Sequence, residues 1–265
     1  MTGPDGTFHL FDPVYEHASL WSVLYYAHGT ASKPEGPYDW ASSPNISSTA
    51  INPAALTYVN SSTGQLEYSL WIGGDILTAS SPAGPFVKMY KNPASSNSAP
   101  AFSKGTFYVT SQDTTQVLSA PSIAGPWALF STIQKPSMPY TVEDPYMWVD
   151  PRGSFHIINH AYNTGQTTNC SSSHVSSHFF SADGKTWGHS DQPYGHTVQF
   201  DDGTSHSFCT LERPSLIFTP EGLISHIHFA ADLVTQNEGC PSRGKGCVDC
   251  KYDDHAGTLL VKLGA

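Results

Sequence analysis

Ala99-Pro100-Ala101-Phe102-Ser103-Lys104-Gly105-Thr106-Phe107-Tyr108-Val109, continued by Ser122-Ile123-Ala124-Gly125-Pro126-Trp127, is the stretch whose reading decides the fold. Three phrases follow one another in it. A small or polar residue and a proline open an apolar strand, which proline tolerates because no ladder donor is needed there. A glycine turn leads into an alternating aromatic and aliphatic strand. A small-residue turn with Gly-Pro then delivers an aromatic to start an outer strand.

Each phrase recurs along the chain. The glycine turn returns as Gly6-Thr7-Phe8-His9-Leu10, Gly64-Gln65-Leu66-Glu67-Tyr68, Gly153-Ser154-Phe155-His156-Ile157 and Gly222-Leu223-Ile224-Ser225-His226, so that with Gly105 the five glycines are spaced by 58, 41, 48 and 69 residues. The Gly-Pro-aromatic turn returns as Gly36-Pro37-Tyr38 and Gly84-Pro85-Phe86, with Asp183-Gly184-Lys185-Thr186-Trp187 as a variant. The proline phrase returns as Asn52-Pro53-Ala54-Ala55-Leu56, Glu143-Asp144-Pro145-Tyr146-Met147-Trp148 and Glu212-Arg213-Pro214-Ser215-Leu216-Ile217. Four short antiparallel strands per ~40–60 residues is the arithmetic of a propeller blade. The chain is therefore expected to be all-β, a single five-bladed β-propeller domain over 1–265 with a Cys/Gly-rich loop at 240–256. A β-sandwich with coincidental glycine turns is disfavoured by the repeated order of three different phrases. The first unit is incomplete, because only Met1 to Asp5 precede its hairpin; either Gly257–Leu263 pairs into the ring to help close it, or the natural chain extends upstream.

Composition agrees. Charged residues make up only 13% of the 265, against Gly 22, Pro 20, Tyr 13 and Trp 6, as expected of a turn-rich β protein. A net charge of −10 leaves no basic footprint for nucleic acid or anionic lipid. No apolar run approaches the ~20 residues that a membrane helix needs. Met1-Thr2-Gly3-Pro4-Asp5 carries no signal-peptide pattern, so an export signal is absent or removed. Sequons at Asn45-Ile46-Ser47, Asn60-Ser61-Ser62 and Asn169-Cys170-Ser171, with five late cysteines, nevertheless favour a secreted, glycosylated, disulfide-bearing chain. A Cys170–Cys209 disulfide would staple the stretch before the fifth blade. Cys240, Cys247 and Cys250 are read as one loop disulfide and a leftover thiol, with a Cys3His zinc knot through His255 as the alternative.

The first strand of each blade lines the central channel, so its leading residues meet at one mouth. They are nothing visible in blade one, then Asn52, Ser98-Ala99, Glu143-Asp144 and Glu212-Arg213. Acids from adjacent blades thus converge, and two carboxylates flanking a pocket are what glycosidic cleavage requires.

Asp144-Pro145 and Glu212-Arg213-Pro214, with the Gly-Pro-aromatic turns, resemble the five-bladed propellers of glycoside hydrolase family 43 and its clan relatives. Val142–Trp148, Phe155–His160 and Leu211–Leu216 are similar to a divergent, poorly characterised branch. The resemblance implies three carboxylates: an aspartate base in blade one, an aspartate tuning the acid, and a glutamate acid. By carry-over Glu212 is the acid and Asp144 the tuning aspartate, while the base has no counterpart. Asp12 is the nearest acidic replacement, with Glu16 and His17 on the connection behind it. Arg213 beside Glu212 would lower the acid's pKa unless alternation turns it away. Glu212 therefore stays open between proton donor, sugar contact and structural ion pair, and Asp144 between a functional residue and a turn cap before Pro145.

Trp21, Tyr146 and Trp148 are candidates to stack on sugar rings, with inter-blade packing as their other reading. Asn52, Glu143, His28, His160, Arg213 and His228 complete the expected substrate-binding set. His226 and His228 share a strand face, but no carboxylate stands at ligand spacing, so no metal site is expected of them. No cofactor is expected either; a calcium on the axis is implied only by the resemblance. No P-loop, Gly-x-Gly-x-x-Gly, Gly-x-Ser-x-Gly or His-Glu-x-x-His motif occurs, which removes nucleotide, serine-hydrolase and zincin chemistry. The expected protein is a secreted, monomeric glycoside hydrolase of family-43 type, acting on a polysaccharide or oligosaccharide by acid-assisted, inverting cleavage. Its rival is a non-catalytic carbohydrate-binding propeller that has lost its base.

Overall fold

A computed structural model describes residues 1–15, 23–41, 46, 52–94, 96–163, 175–208, 211–232 and 256–263. Blade one holds β1 (Phe8–Tyr15), β2 (Val23–Ala31) and β3 (Asp39–Ala41). Blade two holds β4 (Ala54–Val59), β5 (Leu66–Ile72), β6 (Asp75–Ala79) and β7 (Val87–Lys91). Blade three follows with β8 (Ala99–Ser103), β9 (Thr106–Thr110), β10 (Gln116–Ala120) and β11 (Ala128–Thr132). Blade four has β12 (Tyr140–Val149), β13 (Phe155–Asn163), β14 (Ser176–Ser181) and β15 (Gly188–Asp191). A two-stranded hairpin, β16 (Thr197–Gln199) and β17 (Ser205–Ser207), intervenes before blade five, which is β18 (Leu211–Phe218), β19 (Ile224–Asp232) and β20 (Ala256–Lys262). Every blade is an antiparallel meander. The leading strands β4, β8, β12 and β18 stand next to one another around the axis, as a five-bladed propeller requires.

Gly64, Gly105, Gly153 and Gly222 turn the first strand of their blades into the second. Gly6 does the same before β1, so β1 is a second strand. Among the described residues, the first position of blade one is held by Thr2, which bridges to Phe8. The C-terminal stretch does not close onto blade one; it is β20, the third strand of blade five, paired to β19 from His226↔Lys262 to Asp232↔Ala256. The Gly-Pro-aromatic turns hold their glycines at φ +81, +82 and +94 at Gly36, Gly84 and Gly125, a region open to glycine at little cost.

Strand alternation sends one set of side chains to each neighbouring blade, and four apolar seams result. Phe11 and Tyr26 meet Tyr68, Leu70 and Phe86 between blades one and two. Tyr58, Trp71 and Ile76 meet Phe107 and Val109 between two and three, where Tyr58 and Phe107 pack edge to face at 4.9 Å. Val117 meets Val142, Met147, Ile157 and Phe179 between three and four, and Tyr146 and Val175 meet Leu211, Leu216 and Phe229 between four and five. Each fully buried side chain of this size stabilises the fold by roughly 1.5–3 kcal/mol.

One local departure matters for function. The sequence reading opens each first strand at its proline, yet β12 and β18 begin earlier. Their pairing jumps from Glu143↔His160 to Tyr146↔Ile158, and from Glu212↔Ala230 to Ser215↔His228. Asp144-Pro145 and Arg213-Pro214 are therefore β-bulges, where proline's missing donor does no harm and a side chain is re-aimed. The extra residue reverses the strand's phase: Val142 and Met147, five positions apart, face blade three together, and Leu211 and Leu216 share a face likewise.

Candidate active site

Asn52, Asn97, Asp144 and Arg213 come from blades two, three, four and five, and all adopt the left-handed conformation, with φ +59, +46, +49 and +50. Asn and Asp visit this region readily, whereas for Arg213 it stores strain of order 1–3 kcal/mol. The four side chains close a ring on the axis. Arg213 Nε donates to Asn52 Oδ1 at 2.6 Å, Asn52 Nδ2 to Asn97 Oδ1 at 2.6 Å, and Asn97 Nδ2 to Asp144 Oδ1 at 2.7 Å. Asp144 Oδ2 in turn lies 3.8 Å from Arg213 Nε.

Further acids surround this ring. Arg213 Nη1 also reaches Glu212 Oε2 at 3.4 Å. Glu143, beside Asp144 on the bulge, accepts from Gln112 Nε2 at 3.1 Å and faces His160 Nδ1 at 3.8 Å. Side-chain exposure grades from 5% for Asp144 through 17% for Glu212 and 24% for Glu143 to 41% for Arg213. Burial pushes the Asp144 pKa up to about 6, with Arg213 opposing and Glu143 and Glu212 reinforcing. Burial also pushes Glu143 up, but His160, Gln112 and Arg213 outweigh it and hold the carboxyl below its ordinary value. His160 is raised: burial opposes its charge, and the three carboxylates around it overcome that. Tyr162 is pushed to about 12 by burial and by the same acids. Tyr194 is raised further by burial, Asp144 and Glu212, and its hydroxyl donates to Leu211 O at 3.2 Å.

Glu143, Asp144 and His160 offer ligand atoms within 4.8 Å of one another. They do not fit an axial calcium, which takes six to eight oxygens. Asp144 Oδ1 and Glu143 Oε2 already accept from the Asn97 and Gln112 amides, Arg213 supplies positive charge beside Asp144, and the third donor is an imidazole. No step is derived through a cation.

The structure thus brings together Asn52, Glu143, Asp144, His160, Glu212 and Arg213 of the expected set. Alternation does not turn Arg213 away. Asp12 is not among them: it lies exposed on β1 opposite Ala27, and no hydrogen bond or ion pair among the described residues joins it to the cluster. Protein around its carboxyl nevertheless desolvates it enough to raise its pKa. Tyr146 and Trp148 are corrected from sugar contacts to inter-blade packing. The bulge swings both toward blade five, where the Tyr146 hydroxyl donates to Leu216 O at 3.4 Å and Trp148 meets the Phe218 ring at 6.4 Å between centroids. His28 is likewise inside the seam of blades one and two, its Nε2 2.9 Å from His9 Nδ1 and its ring stacked on Phe11. His228 is half-buried on β19 with Nδ1 3.5 Å from Ser215 Oγ, and desolvation lowers its pKa to about 4. Glu16, His17, Trp21, all five cysteines and the Asn45 and Asn169 sequons lie outside the described residues. Asn60 lies in the β4–β5 turn, donating to Glu67 Oε1 at 2.7 Å.

Four contributors escaped the sequence reading: Asn97, Gln112, Tyr162 and Tyr194. In blade three Ser98-Ala99 was the expected contribution, but the left-handed residue is the asparagine one step earlier. Its signal was its type, since Asn is among the few non-glycine residues at ease with positive φ.

An all-β ring of five blades with three carboxyls gathered around an axial polar ring defines a propeller with a part-buried acidic cluster on its axis. Solved structures share this fold. An endo-1,4-β-xylanase from Bacteroides thetaiotaomicron superposes with a TM-score of 0.57 at 12% identity, over 98% of this chain and 91% of that one. A thermostable family-43 glycoside hydrolase gives 0.55 at 12% identity, over 100% and 92%. The exo-β-1,3-galactanase of Phanerochaete chrysosporium, in a structure with galactose, gives 0.53 at 13% identity, over 87% of this chain and 58% of that one. No family model and no curated protein matches the chain. At these identities the likeness is one of fold, and the fold is the family-43 five-bladed propeller.

Proposed function

We propose that this protein is a secreted glycoside hydrolase that cleaves a polysaccharide or oligosaccharide by acid-assisted, inverting hydrolysis. The observation that carries the reading is the convergence of Glu143, Asp144 and Glu212 in one cluster. Three carboxyls face two cations there, Arg213 and a His160 whose charge is favoured. Acid-assisted cleavage needs one carboxyl to protonate the leaving oxygen and another, ionised, to activate water on the opposite face.

In the proposed step Glu212 gives its proton to the glycosidic oxygen as the bond to the anomeric carbon breaks. Water attacks that carbon from the opposite side and passes a proton to Glu143, which Gln112 and His160 keep ionised. Glu143 thereby takes the place expected of Asp12. Asp144 stays out of the proton transfers and holds Arg213, whose guanidinium orients Glu212.

One observation favours the rival binding reading: Glu212 Oε2 is engaged by the Arg213 guanidinium at 3.4 Å, as in a structural ion pair. A hydrolysis screen on polysaccharides separates the two. The enzyme reading expects sugar release that falls roughly 10²- to 10⁴-fold in Glu212→Gln, the usual contribution of a general acid. Equal release by both proteins would remove Glu212 from the acid role. Polysaccharide binding without release would leave the binding reading.

A further inference from the structure

We infer that Asn97 is a positioning residue which, with Asn52 behind it, holds the Asp144 carboxylate in the orientation that faces Arg213 and so fixes the guanidinium beside Glu212. The kinetic arm of this inference rests on the hydrolase reading; the structural arm does not.

Both amides have only one workable orientation. A guanidinium can only donate, so Asn52 must turn its oxygen to Arg213 and its NH₂ to Asn97. Asn97 must then accept on its oxygen and donate from its NH₂, and the group that it meets, an ionised Asp144, can only accept. The observed contacts run in that sense at every link, 2.6, 2.6 and 2.7 Å. A donor-only end and an acceptor-only end thus polarise two neutral amides into one directed chain across four blades. The chain closes where Asp144 Oδ2 faces the guanidinium that started it, at 3.8 Å.

Packing alone does not account for this arrangement. Asn52 and Asn97 join no apolar seam, and each holds a positive φ that most side chains avoid. Non-glycine residues kept in left-handed conformations cluster where geometry is needed for function. Asp144 otherwise sits among groups that pull in both directions: Glu143 on its own strand, His160 and Tyr162 from β13, Glu212 and Arg213 from β18, and Tyr194 ahead of β16. Among the described residues the Asn97 amide is the donor that meets its carboxylate at hydrogen-bond distance, 2.7 Å, and a donor of this kind favours the charged form.

The test uses Asn97→Gly, which keeps the left-handed backbone and deletes the amide, alongside Asn97→Asp, which keeps the shape and reverses the polarity. Asp144 is titrated through its ¹³C carboxyl resonance, and kcat, KM and thermal melting are measured in parallel. Asn97→Gly is expected to melt close to the wild type, to move the Asp144 midpoint upward by about one unit, and to lower kcat about tenfold with KM within about twofold. Asn97→Asp is expected to move the midpoint further, because a second carboxylate then faces Asp144. Asn52→Gly is expected to act in the same direction more weakly, and Asn52→Gly with Asn97→Gly to be no worse than Asn97→Gly alone, as members of one chain behave. An Asp144 midpoint unmoved by Asn97→Gly overturns the inference, as does a loss of kcat that follows melting with no change in titration. Should the wild type release no sugar from any polysaccharide, the hydrolase reading fails while the titration still decides this one.

Discussion

Asp144 carries opposed demands. Its side chain is 5% exposed, so ionisation forfeits hydration that Asn97 and Arg213 replace only in part. The folded-state pKa of about 6 stands above the ordinary 3.8, so the native protein binds more protons than the unfolded chain between those values. Stability therefore falls as pH rises through that window, by about 1.4 kcal/mol per unit, roughly 3 kcal/mol in all. Asp144→Asn removes this cost while keeping the side chain's size and its ease with positive φ. Urea denaturation is expected to find the variant about 1–2 kcal/mol more stable than wild type at pH 7 and little different at pH 4, where the wild-type residue is already protonated. Equal stability at pH 7 would mean that Arg213 fully compensates the buried charge. The pairing of Asp144 with Glu212 was legible in the sequence, because both precede or adjoin a proline at the head of a strand. What Arg213 does there was not, since its direction depends on a left-handed bulge that strand alternation does not foresee.

The turns between strands were the most legible elements, because each needs a residue type that little else can replace. Gly64 and Gly184 show two different needs at nearly the same φ, +68 and +69. A Cβ on Gly64 meets nothing within 4 Å, whereas one on Gly184 would stand 2.6 Å from Phe130 and 2.9 Å from Phe155. Gly64→Ala therefore isolates the backbone penalty, about 1 kcal/mol. Gly184→Ala adds overpacking against two rings, for about 3 kcal/mol in total. Thermal or chemical melting of the two variants checks the difference; matching losses would show that Phe130 and Phe155 yield freely. Elements without such a residue were less legible. The β16–β17 hairpin is made of short polar strands with no apolar alternation, and the bulges at Asp144-Pro145 and Arg213-Pro214 read as plain strand openings. That misread phase is why Tyr146 and Trp148 were expected at the pocket rather than in the seam.

Five sheets fanned about an axis bury apolar side chains only where neighbours touch, so the stability of the ring is the sum of its seams. Four seams are apolar clusters. Among the described residues no such cluster joins blade five to blade one; Glu35, in the turn between β2 and β3, meets His226 Nε2 on β19 at 3.3 Å. Glu35 is 53% exposed, and pairs of that kind contribute about 0–1 kcal/mol. Each apolar seam, at roughly 1.5–3 kcal/mol per buried side chain, far exceeds it. The ring is therefore expected to open between blades five and one before it unfolds elsewhere. Native-state hydrogen exchange should find amides of β2, β3 and β20 opening in a sub-global step, at lower free energy than amides of β9 and β13. Glu35→Gln should speed the first group by no more than about fivefold, the equivalent of about 1 kcal/mol, and leave the second unchanged. Equal protection of both groups would mean that the ring opens as one unit, with the seam between blades five and one held as firmly as the rest.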